Sequence, residues 1–238
     1  MVDFHSHFLP GIDDGSDSVE TSLAMLRESY RQGVDIMFAT PHFYADEDDP
    51  ESFLYNRDNA WALLQEAMAE DGGAFPEVYL GAEIYFFPGM SVAEELAELN
   101  MGPTPFMIVE PPMMPWRETI LDEIEQTGEN LRRIPVVAHL DRYMRMLDDY
   151  TLFDRLRNRR MLIQVNASFF THDDTAELAL RYLREKRIQF IGSDCHNMDE
   201  RAPNMGMAAD VIRYDGATAY LDELNDRLCS LLRGGDRP

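Results

Sequence analysis

Val2-Asp3-Phe4-His5-Ser6-His7-Phe8 opens the chain, and Val34-Asp35-Ile36-Met37-Phe38-Ala39-Thr40 follows after one intervening polar-apolar stretch. Both runs have strand length and are rich in β-branched and aromatic side chains, the composition of a buried strand. Between them Val19, Leu23, Leu26 and Tyr30 recur on one helical face, with Asp17 and Glu20 at capping-box spacing in front and Gly33 as a stop. Strand, helix, strand in that order is a βαβ unit, which predicts parallel pairing.

The alternation continues to the end of the chain. Further apolar runs at 78–84, 106–109, 134–140, 161–167 and 188–192 bring the predicted strands to seven. Helical patterns lie at 53–69, 118–126, 152–159, 175–186 and 217–232. An α/β fold with a parallel sheet follows, either open or closed into a barrel with its helices outside. Seven strands favour a barrel one short of the usual eight. No repeat, low-complexity tract or Gly/Ser linker divides the sequence, so residues 1–238 are expected to form a single domain.

Composition narrows the function. The chain has 238 residues, 45% of them hydrophobic, enough for a sizeable core. Lys+Arg 21 against Asp+Glu 44 gives a formal charge of -23, which repels nucleic acid and anionic membranes alike. Cys195 and Cys229 are too few for a disulfide framework and fit a reducing, cytoplasmic setting. Met1 to His7 lacks a basic segment leading into an apolar one, and no later stretch approaches the roughly 20 apolar residues that span a bilayer. A soluble protein without membrane insertion is expected.

Five of six histidines, His5, His7, His42, His139 and His196, fall in or just after predicted strands. In parallel α/β folds the loops at the strands' C-terminal ends converge on one face, so distant residues meet there. Asp14, Glu83, Glu110 and Asp194 occupy equivalent positions. His5 and His7, at i and i+2, point to the same face of a strand and can chelate one ion. Nine nitrogen and oxygen donors suit borderline-hard divalent ions such as Mn, Fe or Zn, and exceed the needs of one tetrahedral centre. Without cations such a cluster would face a severe desolvation cost. His172, in Thr171-His172-Asp173-Asp174 before a helix, reads as part of that helix's start, and Asp46 to Glu51 as a solvated loop.

Asp3-Phe4-His5-Ser6-His7, Leu9-Pro10-Gly11-Ile12-Asp13-Asp14-Gly15, Thr40-Pro41-His42, Gly81-Ala82-Glu83, Ala138-His139 and Gly192-Ser193-Asp194-Cys195-His196-Asn197 together resemble the motifs of the polymerase and histidinol phosphatase (PHP) superfamily. Within it, Leu9 to Gly15, Asp141-Arg142-Tyr143 and Gln164-Val165-Asn166-Ala167-Ser168 resemble the bacterial manganese-dependent protein-tyrosine phosphatases of capsule and exopolysaccharide operons. That resemblance implies a distorted, TIM-like (β/α)7 barrel holding three divalent ions, Mn foremost, with Fe, Zn or Mg as alternatives. Its first metal would take His5, His7, Glu83 and Asp194. Glu83 would bridge to a second held by Glu110 and His139, and Asp14, His42 and His196 would hold the third. The substrate it implies is the phosphotyrosine tail of a bacterial tyrosine kinase.

Phosphate monoesters hydrolyse slowly because water is a poor nucleophile and the ester is anionic; paired divalent ions address both. Arg142 and Arg201, each just beyond a histidine ligand, can offer forked donors to phosphoryl oxygens, a role the resemblance also implies. With Asp194 and His196 they are the residues expected at the reacting group. A histidinol-phosphate or other small-molecule phosphatase would share every ligand and is the alternative. Cys195 and Arg201 also have the Cys-x5-Arg spacing of cysteine-dependent tyrosine phosphatases. The five residues between them contain no glycine and include Asp199 and Glu200, which oppose both phosphate and thiolate, so a metal mechanism is expected instead.

Overall fold

The computed structural model describes residues 1–234. Nine short parallel strands alternate with helices among these residues: β1 (Val2–Asp3), α1 (Val19–Arg31), β2 (Ile36–Ala39), β3 (His42–Phe43), α2 (Pro50–Asp71), β4 (Glu77–Leu80), β5 (Glu83–Tyr85), β6 (Phe106–Glu110), α3 (Glu118–Leu131) and β7 (Ile134–Val137) form the first part. Then follow α4 (Leu140–Met146), α5 (Leu152–Leu156), β8 (Leu162–Asn166), α6 (Ser168–Thr171), α7 (Ala176–Arg184), β9 (Phe190–Gly192), α8 (Met205–Tyr214) and α9 (Thr218–Leu232).

Nine strands reduce to the seven staves predicted from sequence. β1, β2 and β4 form one sheet, and β3, β5, β6, β7, β8 and β9 form another, in that order. β2 and β3 are one stave interrupted at Thr40-Pro41, and β4 and β5 are the next, interrupted at Gly81-Ala82. The register survives both breaks, since Ala39 pairs with Leu80 and His42 with Glu83. Backbone bonds from Gly81 N to Ala39 O (2.8 Å) and Glu83 N to Pro41 O (3.0 Å) carry the ladder across. The last stave returns to the first through Phe4 N to Ile191 O (3.1 Å) and Asp194 N to His5 O (2.8 Å). The distortion sits between β4 and β6, where Met101 N donates to Phe106 O (2.9 Å) and Gly102 N to Leu80 O (2.8 Å), so a connecting loop fills the wall.

The lower barrel is filled by aromatic side chains. Phe4 stacks on Phe190 at 3.9 Å between ring centroids and meets Phe38 at 5.1 Å and Phe106 at 6.2 Å. Leu228 of α9 closes this cluster from below, together with Ile36, Ile108, Val136 and Ala138. A larger apolar layer lies between sheet and outer helices.

Local signals explain the helix ends, with three corrections to the sequence reading. The α1 cap is Ser18, whose side chain accepts from Thr21 N, and Asp17 supports it through the Thr21 hydroxyl. The acidic stretch read as loop is partly helix: Asp49 caps α2 by accepting from Ser52 N, and Pro50 sits in the first turn, where its missing N–H is harmless. α4, α6 and α8 were not predicted at all; α4 starts directly after His139, leaving no loop signal.

Candidate metal centre

All nine predicted donors meet at the C-terminal mouth of the barrel. Glu83 is central: its Oε2 lies 3.1 Å from His5 Nε2, 3.2 Å from His7 Nε2 and 3.2 Å from His42 Nδ1, while Oε1 lies 2.9 Å from His139 Nε2. His139 Nε2 is also 3.4 Å from Glu110 Oε1. Asp194 Oδ1 approaches His7 Nε2 at 3.6 Å and His5 Nε2 at 3.9 Å. Asp14, the exposed member at the rim, lies 3.3 Å from His196 Nε2 and 3.5 Å from His42 Nε2. His172 is elsewhere; its carbonyl accepts from Thr175 N and Ala176 N at the start of α7, as predicted.

Three groups have donor atoms mutually close enough to share an ion: His7, Asp14, His42 and His196; His5, His7 and Glu83; and His42, Glu83 and Glu110. The structure thus adds His7 to the Asp14 group. It also draws His42 towards Glu83 and Glu110, where the resemblance implies His139.

The donor set fits divalent metal. Glu83 Oε2 is buried among three imidazole nitrogens yet accepts an aligned hydrogen bond from none; His42 Nδ1 and His196 Nε2 are likewise buried without a partner among the described residues. Buried polar atoms left unpaired are costly, and here they converge on shared space.

Around these donors a polar frame fixes their orientation. Gln164 Oε1 accepts from His139 N (2.6 Å), which identifies that atom as the oxygen, so the His5 Nδ1 at 3.2 Å must carry the proton. His5 Nε2 is therefore the lone-pair nitrogen, and it faces Glu83. Gln164 Nε2 donates to Asn166 Oδ1 (3.1 Å), and Asn166 Nδ2 donates to Asp194 Oδ2 (2.9 Å), linking His5 to Asp194. Asp13 does the same for His7: its Oδ2 takes His7 Nδ1 at 2.7 Å and the His42 backbone N–H at 3.1 Å. These three supporting residues had no assigned role in the sequence reading. Their signal was visible for β8, where Gln164 and Asn166 alternate as polar residues in an apolar run.

Tight packing and strain accompany the frame. A Cβ on Gly192 would stand 2.5 Å from His5 Cβ, and one on Gly15 would collide with the His7 carbonyl. His139 (φ 30°) and Asp194 (φ 54°) both occupy the left-handed region, which costs a non-glycine residue about 1–3 kcal/mol. Such strain clusters where surrounding structure over-determines a functional side chain.

Without cations, protons take their place. Burial opposes charge on His7 and on His139, yet the nearby carboxylates, Asp13 and Glu83 for the first and Glu110 and Glu83 for the second, favour the protonated imidazoles and push each up to about 10. Burial also opposes the charge of Glu83, but His5, His139 and His7 hold it well below the usual carboxylate range. His196 is pushed down to about 3, by burial first and then by the neighbouring His7.

Two clefts, each of about 690 Å³, flank the cluster. One is lined by Asp13, Asp14, His42, Glu47 and Asp48 with Phe53 and Leu63. The other is lined by Arg142, Arg145 and Arg201 with Asn166 and Asp194. Arg201 donates to Asp194 Oδ1 at 2.7 Å and lies 4.0 Å from Asp14, so it is tied to candidate ligands and not to Asp199 or Glu200. Among the described residues no carboxylate approaches the Arg142 guanidinium within 4.0 Å, which leaves it free to face the cleft it lines. Cys195 is fully buried, and burial with Asp3 and Asp194 nearby drives its thiol far above the ordinary range.

A parallel α/β barrel gathering histidines and carboxylates at its C-terminal mouth is the architecture of a metal-dependent barrel enzyme. The chain belongs to the capsular polysaccharide synthesis CpsB/CapC family, whose profile matches residues 1–227. It is 28% identical to the tyrosine-protein phosphatase CpsB of Streptococcus agalactiae over 228 residues, 90% of each chain. It is also 28% identical to the tyrosine-protein phosphatase YwqE of Bacillus subtilis, over 84% of this chain and 79% of that one. Among solved structures, one of the metal-dependent tyrosine phosphatases YwqE from B. subtilis and CpsB from Streptococcus pneumoniae superposes with a TM-score of 0.84 at 23% identity. It covers 100% of this chain and 96% of the other, and supports the barrel fold.

Proposed function

We propose that this chain is a metal-dependent protein-tyrosine phosphatase that removes phosphate from the phosphotyrosine tail of a bacterial tyrosine kinase controlling capsule or exopolysaccharide synthesis. The observation that carries this reading is the arrangement around Glu83: overlapping donor groups on one side of Asp194 and an arginine-lined cleft on the other, in a chain whose relatives are tyrosine phosphatases. The nine donors His5, His7, Asp14, His42, Glu83, Glu110, His139, Asp194 and His196 would hold up to three divalent ions, Mn foremost. Bound metal supplies an activated water at neutral pH and charge to hold the attacking and departing oxygens.

The chain's own residues do the rest. Arg142, without a carboxylate partner among the described residues, offers its fork to the phosphoryl oxygens, and Arg201, hinged on Asp194, closes the other side. Gln164 and Asp13 keep the Nε2 lone pairs of His5 and His7 aimed inward. A tyrosyl leaving group, with a pKa near 10, needs less protonation than an alkoxide, which suits a site without a dedicated general acid. The thiol of Cys195 has no part in the reaction.

We further propose that the chain is a single domain acting in the cytoplasm. No helix among the described residues is long and apolar enough to cross a membrane. Turnover of a phosphotyrosine peptide and of histidinol phosphate, compared in one manganese buffer and again after chelation, tests the function. The peptide should be preferred and chelation should stop both reactions. Preference for histidinol phosphate would favour the small-molecule alternative, and activity surviving chelation would remove the metal mechanism.

A further inference from the structure

Arg142 and Arg145 stand one helical turn apart on α4 and both line the cleft that Asp194 and Asn166 share with the metal centre. Arg142 and Arg201 sit next to the donors; Arg145 is further out, its side chain 40% exposed. Its carboxylate neighbour among the described residues is Asp174, at 3.6 Å, too far for a hydrogen bond, and Asp174 is itself 65% exposed. An exposed pair of this kind is held by little more than screened Coulomb attraction.

The other aspartates of the cleft are occupied. Asp194 holds Arg201 and Asn166, and Asp141 accepts the Asn166 backbone N–H at 2.8 Å. Arg145 is thus the guanidinium that a second anion can claim by displacing only Asp174. Beside it, Met146 and Tyr150 are 61% and 51% exposed and line the same cleft, an apolar flank for an aryl ring between the two anionic ends. The opposite cleft, with Glu47, Asp48, Asp13 and Asp14, would repel such a group.

Building on the phosphatase reading, we propose that Arg145 is a specificity-determining residue: it binds a second anionic group, a carboxylate or phosphoryl, next to the phosphotyrosine, in competition with Asp174. Substrates carrying acidic neighbours are favoured over neutral ones despite the protein's overall negative charge. The chemistry at the ester is left to Arg142, Arg201 and the metal ligands.

The experiment compares kcat/KM for two phosphotyrosine peptides identical except for flanking Glu or Gln, with p-nitrophenyl phosphate as a substrate lacking any second anion. The wild-type enzyme should prefer the Glu peptide by about tenfold, through KM, as expected for one charge-assisted contact. Arg145→Gln should bring the ratio to about one, Arg145→Lys should keep part of it, and Asp174→Asn should raise it. A third peptide carrying a flanking phosphoserine distinguishes a phosphoryl from a carboxylate preference. Equal turnover of the Glu and Gln peptides by wild type, or a ratio unchanged by Arg145→Gln, would overturn the proposal while leaving the phosphatase reading intact. Failure of wild type on both peptides and on p-nitrophenyl phosphate in manganese buffer would remove both.

Discussion

The two ends of the barrel are built from the same staves and share almost no chemistry. Below, Phe4, Phe38, Phe106 and Phe190 interlock with Leu228 of α9 in a layer whose buried members are all apolar. Above, one residue along from Phe4, His5 enters a layer of imidazoles and carboxylates in which buried atoms lack partners. The lower layer can be satisfied by packing alone, whereas the upper one is complete only with cations or protons. Stability is therefore assigned to the floor and reactivity to the mouth, and substitutions at either end should separate the two.

The largest effect is expected at Glu83, which touches four of the five histidines in the cluster. Glu83→Gln should lower kcat on a phosphotyrosine peptide beyond the roughly 10–100-fold typical of changing an outer partner, because the central donor itself is weakened. The aromatic floor is untouched, so the variant should still unfold cooperatively. A variant that fails to fold would show that the mouth also holds the barrel together. In the opposite sense, Phe106→Ala should cost about 3–5 kcal/mol in denaturant unfolding. Metal stoichiometry of its folded fraction, measured in the cold, should match wild type; metal loss from folded protein would break the separation.

How legible each end was follows from its physics. The seven staves were readable because each is a short apolar run with turn residues at its end. Their division into nine strands was not, since the breaks at Pro41 and Gly81 interrupt the strand geometry without changing register or hydrophobic pattern. The nine candidate donors were readable because histidines and carboxylates are rare at the ends of buried strands. Their partners were harder to find: Asp13 sits beside the candidate ligand Asp14 with nothing in sequence to distinguish them, and only the fold shows that it faces His7 Nδ1. Arg145 carries no motif and gains meaning only when α4 puts it in the cleft with Arg142.

A pH titration sharpens the contrast by a smaller amount. In the metal-free protein His7 and His139 are raised to about 10, so their protonated forms stabilise the fold below the ordinary histidine pKa of about 6.5, and that contribution is lost as pH rises through about 10. Metal needs the same nitrogens free. Apparent metal affinity should therefore increase with pH across this window, by up to about tenfold per unit for each proton displaced, with proton release on binding. Calorimetry in buffers of different ionisation enthalpy reads that release directly. Affinity independent of pH would mean that neither histidine is a ligand.

The smallest effect is predicted where the sequence offers the most tempting nucleophile. Cys195 lies between Asp194 and His196, at Cys-x5-Arg spacing from Arg201, yet the fold turns its thiol into the apolar layer behind the mouth, where it is fully buried. A thiolate there would be opposed first by burial and then by Asp3 and Asp194, so the group stays protonated at any physiological pH. Arg201, which would have to hold the phosphate over that sulfur, instead points to Asp194. Cys195→Ser should therefore leave kcat/KM within about twofold of wild type, while lowering stability by the roughly 1–3 kcal/mol of a buried hydroxyl without an assured partner. Alkylating reagents should be slow to reach it and harmless to turnover, whereas chelation should abolish activity. If Cys195→Ser were inactive with its full complement of metal, the division between a reactive mouth and a packed interior would have been drawn on the wrong side of this residue.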